Sequence, residues 1–268
     1  MKALEKAGYL AHARTPSFKW KMERARGCIR HTLALSKRPF VSWSAGKDSS
    51  AMLYLVAEEA PEISVRILTG GETRLLYPEL DKHIKWWRER FPKLDLQEIL
   101  VDHVFTSGWE NADFAEMYRS FFDEWEKYLY AGQNWDAVFI GLRKSESANR
   151  RFWLSRRIKD CDYAILRYSA KGNKAGILRS CPLDLWTEQD IGALFALHDI
   201  PLLGTYERDG LEARTKMRIG RQAMRFGQLE ELRGRNPAGY NKLIERFPEL
   251  MLYCGGQLVF KDGDQDVD

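Results

Sequence analysis

Two hydrophobic periods alternate along this chain. Over Ser17–Ser36 the apolar residues recur at helical spacing, which predicts a helix ahead of the first strand. The short apolar run Phe40–Trp43 reads as that strand. Ser49–Glu59 returns to the helical period, with Ala51, Met52, Leu55 and Val56 on its buried side. Ser64–Leu68 alternates and is rich in β-branched residues, the pattern of a second strand. The same reasoning gives a helix over Tyr77–Phe91, a strand over Leu96–Val101, an aromatic-rich helix over Asn111–Leu129 and a strand over Asp136–Ile140. Tyr163–Tyr168 is a further strand, and Gly176–Ser180 its hairpin partner across a turn at Lys171–Gly176. Thr187–His198 is a helix with Thr187 as N-cap and Asp190 at its third position. From Gly210 the chain is basic and helical, broken at Asn236-Pro237, with a last helix over Asn241–Phe247. There is no internal repeat.

Strands that alternate with helices predict an α/β fold, a parallel sheet flanked by helices. Ligands of such sheets sit at the carboxyl ends of the strands, near a topological switch point. Three polar, glycine-containing segments are expected on that rim: Ser44–Ser49, Thr69–Arg74 and Gly141–Arg143. The first reads Ser44-Ala45-Gly46-Lys47-Asp48-Ser49 and opens directly into a helix. A strand–loop–helix junction of this kind offers unpaired N–H groups and the positive end of a helix dipole, which suits a phosphate. Gly46 allows close backbone approach, Lys47 adds a compact cation, Ser44, Ser49 and Ser50 add hydroxyls, and Asp48 is placed to hold a metal or a substrate amine. Ala45 is small but uncomfortable at positive φ, so the loop is expected to keep ordinary dihedrals there. The competing arrangement is an ordinary strand-to-helix turn rich in small residues. A Walker A loop is excluded by spacing, because Val41 stands where its first glycine is needed and Asp48 follows Lys47.

Composition narrows the class. The chain has 268 residues, 44% apolar and 12% aromatic, enough for one α/β domain with elaborations. It has no apolar run of membrane-spanning length, and Met1–Arg14 lacks an apolar signal core, so a cytoplasmic protein is expected. Cys28, Cys161, Cys181 and Cys254 lie far apart, and no two of the five histidines stand three to five residues apart. Neither a zinc site nor an iron–sulfur cluster is expected from that spacing. Net charge is only +4, yet Gly141–Cys181 carries eleven basic residues against three acidic ones. Such a block suits a nucleotide or a nucleic acid, or else forms a solvated face.

The loop resembles the PP-loop of the ATP pyrophosphatase superfamily, usually Ser-Gly-Gly-Lys-Asp-Ser, with Ala45 as the departure. Two further segments make the resemblance more specific. Gly141-Leu142-Arg143-Lys144-Ser145-Glu146-Ser147-Ala148-Asn149-Arg150 has the form Gly-x-Arg-x-x-Glu-Ser-x-x-Arg. Cys181-Pro182-Leu183-Asp184-Leu185-Trp186-Thr187-Glu188-Gln189-Asp190-Ile191 is followed by Ile200-Pro201 and Tyr206. Together they resemble the phosphoadenylyl-sulfate (PAPS) reductase family of that superfamily, from about Phe40 to Tyr206. Arg143 and Arg150 are planar cations suited to bidentate contacts with phosphate or sulfate, with Glu146 holding one of them or a ligand hydroxyl. The competing arrangement is an Arg–Glu network at a helix start. Trp186 and Leu183 are expected to pack, and Thr187 to cap.

The resemblance implies segments at 1–38 (helical), 39–206 (nucleotide-binding α/β domain), 207–258 (basic and helical) and 259–268 (acidic tail, expected to be disordered). It implies binding of ATP with Mg²⁺ through Ser44, Ala45, Gly46, Lys47, Asp48, Ser49, Thr69, Gly70, Gly141, Arg143, Glu146 and Arg150. Lys47, Asp48 and Arg143 carry the chemistry, and Asp48 is the metal ligand. Attack at the α-phosphate would release pyrophosphate and leave an adenylylated nucleic acid or small molecule. The alternatives are a thiol-dependent reductase of PAPS or adenylyl sulfate, and a non-catalytic nucleotide- or nucleic-acid-binding accessory protein. Reductases of the family use a Glu-Cys-Gly-x-x-His-type segment. Tyr253-Cys254-Gly255-Gly256-Gln257 keeps only its Cys-Gly, so Cys254 is expected to be structural or incidental.

Overall fold

Burial on both faces of a central strand sets the architecture. In the computed structural model, which describes residues 3–69, 73–100, 134–168, 176–213, 228–246, 248, 253–254 and 257–258, that strand is β1 (Pro39–Ser42). Phe40 and Val41 are fully buried, as parallel sheets covered by helices require. Beyond β1 come β2 (Ser64–Thr69) and β3 (Asp95–Leu100) on one side, then β4 (Ala137–Phe139), β6 (Ile177–Ser180) and β5 (Ile165–Tyr168) on the other, in the order β3-β2-β1-β4-β6-β5. β1 runs parallel to both β2 and β4, with Val41 opposite Val65 and Phe40 opposite Val138. β6 is parallel to β4, and β5 pairs with β6 antiparallel as the expected hairpin. The chain moves outward from β1 to β3 and resumes across β1 at β4. The switch point therefore lies between the carboxyl ends of β1 and β4, where a ligand crevice forms in such sheets.

Helix α1 (Ala3–His12) precedes α2 (Pro16–Leu35), so the chain starts with two helices rather than one. Thr15 separates them: its hydroxyl accepts the Phe18 N–H at 3.2 Å, and Pro16 opens α2. Helix α3 (Lys47–Glu59) is buried on every side from Ser49 to Ala57, not only along the expected stripe. The helix expected over Tyr77–Phe91 stands as α5 (Leu80–Arg90), which starts three residues later, and a short α4 (Thr73–Leu76) that the sequence reading did not give precedes it. Pro78 is the cause of the later start, since it lacks an N–H and disfavours the helical region for Tyr77. Between β4 and β5 come a 3₁₀ turn (Lys144–Glu146) and α6 (Ala148–Trp153); after β6 come α7 (Glu188–His198) and α8 (Gly204–Asp209).

Thr187 caps α7 as expected, in a box with Asp190: the Thr187 N–H donates to Asp190 Oδ2 at 2.7 Å and the Asp190 N–H donates back to Thr187 Oγ1 at 3.4 Å. Asp190 is fully buried and also meets His12 Nε2 at 2.8 Å and Lys21 Nζ at 2.6 Å, which fastens α1 and α2 to α7. Burial alone would raise the Asp190 carboxyl, but hydrogen bonds from His12, Lys21 and Thr187 outweigh it and hold the group below the usual carboxylate range.

The chain divides into two compact units. One is drawn from Met1–Leu68, Glu79–Ile99 and Phe114–Thr215 and holds nearly all of the sheet. The other is drawn from Thr69–Pro78, Leu100–Asp113 and Lys216–Asp268. In it α10 (Pro237–Arg246) packs on α4 and on α9 (Gln228–Arg235), and β7 (Tyr253–Cys254) pairs with β8 (Gln257–Leu258). The expected break at Asn236-Pro237 separates α9 from α10, with Asn236 Oδ1 accepting the Gly239 N–H at 2.9 Å. The helix expected over Asn111–Leu129, the turn expected over Lys171–Gly176 save its last residue, and the acidic tail at 259–268 lie outside the described residues. Among the described residues no helix is long and apolar enough to cross a membrane.

Candidate functional site

The loop after β1 is braced by its own serines. Ser49 Oγ donates to Gly46 O at 3.0 Å, and Ser44 donates its N–H to Ser49 Oγ at 3.2 Å. The hydroxyls of Ser44 and Ser49 are 3.0 Å apart, and Trp43 Nε1 donates to Ser50 Oγ at 2.9 Å. Gly46 caps α3 with φ −70° and ψ 158°, dihedrals open to any residue. The left-handed position is Ala45, at φ 52°. This corrects the expectation of ordinary dihedrals there. The chain must reverse between the end of β1 and the first turn of α3, and Ala45 takes the reversal at a cost of about 1–2 kcal/mol. Its methyl is buried, which returns about 0.8 kcal/mol.

The first turn of α3 presents a row of donors. Lys47 donates its N–H to Tyr206 Oη at 3.2 Å. The N–H groups of Gly46, Asp48 and Ser49 have no hydrogen-bond partner among the described residues. Lys47 is buried, with Nζ 3.3 Å from Asp48 Oδ2, 3.4 Å from Ala213 O and 5.4 Å from the Tyr206 ring centre. The turn after β4 comes directly against this helix start. A Cβ on Gly141 would stand 2.7 Å from the Asp48 carbonyl carbon and oxygen and 2.8 Å from Ser49 N, so only glycine fits.

Arg143 lies at the centre of the charges. Its Nε is 2.7 Å from Asp48 Oδ1, a charge–charge contact rather than an aligned hydrogen bond. Its two terminal nitrogens donate to Glu188, Nη1 to Oε2 at 2.9 Å and Nη2 to Oε1 at 2.7 Å. Nη1 also reaches Ser145 Oγ at 3.0 Å, and the Arg143 N–H donates to Glu146 Oε2 at 3.0 Å. The side chain is 1% exposed. Burial works against its charge, but Glu188, Asp48 and Glu146 overcome that and raise its pKa further. The hydrogen bond from Arg143 in turn holds the Glu188 carboxyl below its ordinary range. Asp48 goes the other way: burial outweighs the pull of Lys47 and Arg143 and raises its carboxyl.

Ser44–Ser49, Gly141, Arg143 and Glu146 are thus brought together. Arg150 pairs with Glu146 at the edge and is the most exposed of the group. Thr69 ends β2 and falls in the second unit, and Gly70 lies outside the described residues. So does 214–227, most of the basic stretch expected from Gly210 to the break at Asn236-Pro237. The guanidinium fork of Arg143 is filled by Glu188, so a bidentate phosphate contact requires Glu188 to leave. Glu188 and Tyr206 stand in the third family segment, but the sequence reading gave neither a role at the site. The signal for Glu188 was its place right after the cap Thr187, the first helical position, where a carboxylate is favoured. Asp48 does not make a resident magnesium site by itself: its two oxygens face Arg143 and Lys47, and no cluster of three metal-ligating acids, histidines or cysteines exists among the described residues. Cys28 and Cys181 are buried, and burial pushes the Cys28 thiol up to about 12 and the Cys181 thiol up as well. The Cys254 side chain lies outside the described residues.

The sequence matches the family model of the phosphoadenosine phosphosulfate reductase domain over residues 38–226. It is similar to sulfate adenylyltransferase subunit 2 of Rhizobium etli (strain CIAT 652), 28% identical over 219 residues that cover 68% of this chain and 64% of that protein. The chain thus spans less than two thirds of that relative's length. The same subunit of Burkholderia lata is 28% identical over 232 residues, 76% of this chain and 75% of that one. Among solved structures, PAPS reductase from Candida auris is similar at TM-score 0.45 and 12% identity, over 71% of this chain and 86% of that one. NMN synthetase from Francisella tularensis is similar at TM-score 0.45 and 11% identity, over 91% and 98%. The braced loop, the Gly141 turn and the capped helix α7 all fall inside the span 38–226, and the chain belongs to the phosphoadenosine phosphosulfate reductase domain family.

Proposed function

We propose that this chain binds ATP at the start of α3 and transfers its adenylyl group to an acceptor, releasing pyrophosphate. The observation that carries this reading is the set of N–H groups of Gly46, Asp48 and Ser49 at the switch point, which have no partner among the described residues. They face outward from a helix start, where phosphate oxygens are accepted. An acceptor oxygen forms a bond to the α-phosphorus. The bond from that phosphorus to the α–β bridging oxygen breaks, and pyrophosphate leaves with the electron pair. The protein's part is to orient the phosphates and stabilise the charge gathered on them, which needs fixed donors and cations rather than a protein nucleophile. Lys47 is the cation nearest the donors, and the Asp48–Arg143 contact fixes the first turn of α3. Magnesium held by the nucleotide's own phosphates would neutralise part of their charge.

Two relatives named sulfate adenylyltransferase subunit 2 support adenylyl transfer over reduction. Cys28 and Cys181, both buried and both with raised thiol pKa values, are unlike the nucleophile a reductase needs, which leaves Cys254 as the thiol to test. The test is incubation with ATP, magnesium and candidate acceptors including sulfate, reading AMP and pyrophosphate. A parallel arm supplies PAPS with a thioredoxin-type donor and reads sulfite. Pyrophosphate that depends on an acceptor is expected. Sulfite formation that is lost in Cys254→Ser would replace this reading with the reductase, and silence in both arms with bound ATP would leave a nucleotide-binding accessory protein.

A further inference from the structure

We propose that the face formed by α6, the segment after it and the outer side of α2 docks single-stranded nucleic acid. Seven large apolar side chains are exposed among the described residues, and three of them are aromatic: Trp20 at 56%, Phe152 at 59% and Trp153 at 50%. All three aromatics carry an arginine. Arg156 lies 4.7 Å from the Phe152 ring centre and 4.4 Å from that of Trp153, and Arg24 lies 5.9 Å from Trp20 and 5.5 Å from Tyr163. The two clusters join, because Arg24 and Arg157 both donate to the Asp162 carbonyl.

Arg24 and Arg150 have carboxylates nearby, Asp184 and Glu146, but the three arginines between them on this face do not. No carboxylate stands within ion-pair distance of Arg151, Arg156 or Arg157 among the described residues. Over Ser147–Tyr163 five basic residues meet two acidic ones. A partner must therefore be anionic and must also offer flat apolar surface to the rings. Single-stranded nucleic acid has both: phosphates for the arginines and base faces for Phe152, Trp153 and Trp20. A duplex keeps its base faces stacked and supplies only the phosphates. An acidic protein surface supplies carboxylates without the flat rings. The face is also continuous with the candidate site. Arg150 of α6 pairs with Glu146, which accepts from the backbone of Arg143. This docking surface goes beyond the adenylyl-transfer reading and does not depend on it, so it is measured without ATP.

The experiment titrates the full chain into a fluorescently labelled single strand of about 12 nucleotides, within the site size of such surfaces. RNA and DNA of one sequence form two arms, and the duplex and polyglutamate are controls. Binding to either single strand is expected, weakening steeply between about 50 and 200 mM salt and quenching tryptophan emission. The Phe152→Ala/Trp153→Ala variant should bind at least about tenfold more weakly and lose most of the quenching, with an unchanged melting temperature because both side chains are exposed. Arg156→Glu/Arg157→Glu should weaken binding and flatten its salt dependence. Duplex bound as tightly as single strand, or binding undiminished in the aromatic variant, would overturn the proposal. So would the absence of binding to both strands, and polyglutamate bound as well as either strand would assign the face to an acidic protein instead.

Discussion

Gly141→Ala tests whether the two rim segments form one site. The new Cβ would sit 2.7 Å from the Asp48 carbonyl group, where real Cβ atoms essentially never come closer than 3.0 Å and ordinary contact begins at 3.4 Å. The turn and the helix start must separate by about 0.7 Å, the difference between 2.7 and 3.4 Å. Neither side yields easily. The atoms met are backbone, and the first turn of α3 is fixed by Ser50 N–H and Ser49 Oγ, both donating to Gly46 O. Overpacking of this kind costs about 1–3 kcal/mol. At roughly 2–4 °C per kcal/mol for a domain of this size, melting should fall by about 2–12 °C. The displaced atoms include the donors assigned to phosphate. A shift approaching 1 Å costs up to about a hundredfold where positioning matters, so affinity for an ATP analogue should drop at least about tenfold. Differential scanning calorimetry and isothermal titration read the two quantities separately. Wild-type melting would refute the packing argument. Lower melting with unchanged affinity would remove this turn from the phosphate site.

Glu188→Gln should lower stability at neutral pH by about 1 kcal/mol, below the usual range for a charged hydrogen bond, because Glu188 is partly exposed and water screens the pair. The Glu188 pKa is depressed in the folded state, so its contribution is present above the ordinary glutamate range and is lost as pH falls through the folded value; acid unfolding monitored by circular dichroism should be shallower in the variant. Asp190→Asn leaves the partly buried Lys21 without its carboxylate and should cost about 3 kcal/mol in urea unfolding, the low end for a broken buried pair, with the same direction of pH dependence. Iodoacetamide should leave Cys28 and Cys181 unmodified in the native protein and label both in denaturant, as read by mass spectrometry; native labelling of either would contradict their burial. Ala45→Gly should raise stability by up to about 1 kcal/mol, the left-handed strain relieved less the methyl lost, and a less stable variant would sink that account.

Where local chemistry decided a conformation, the sequence revealed it. Thr187 as cap, the break at Asn236-Pro237 and the β5–β6 hairpin each follow from side-chain type and spacing, and each stands in the structure. The strand–loop–helix at Ser44–Ser49 was legible for the same reason. Positions decided by tertiary context were not. The positive φ of Ala45 runs against its local preference and depends on the surrounding turn. The all-round burial of α3 follows from elements packed on both sides, which a single apolar stripe does not announce. Glu188 is 45 residues from Arg143 in the chain, and no short-range pattern links a carboxylate behind a helix cap to a guanidinium after another strand.

The pairing of Arg143 changes where the site's attraction for anions comes from. Around the start of α3 three cations, Lys47, Arg143 and Arg150, stand in ion pairs with three carboxylates, Asp48, Glu188 and Glu146. Among the described residues these side chains therefore bring no net positive charge. What remains uncancelled is the helix dipole and the unpartnered N–H groups of the first turn. A phosphate held by such donors gains from fixed dipoles that need no reorganisation, whereas one held by Arg143 must first displace the two hydrogen bonds of Glu188. Backbone geometry is then the sensitive variable. That is consistent with a glycine at 141, where a single methyl would move the donors, and with an alanine held in an unfavourable conformation at 45. The bidentate fork of Arg143 serves to lock α7 against α3 and the β4 turn, so the three segments that mark the family in sequence meet at one guanidinium.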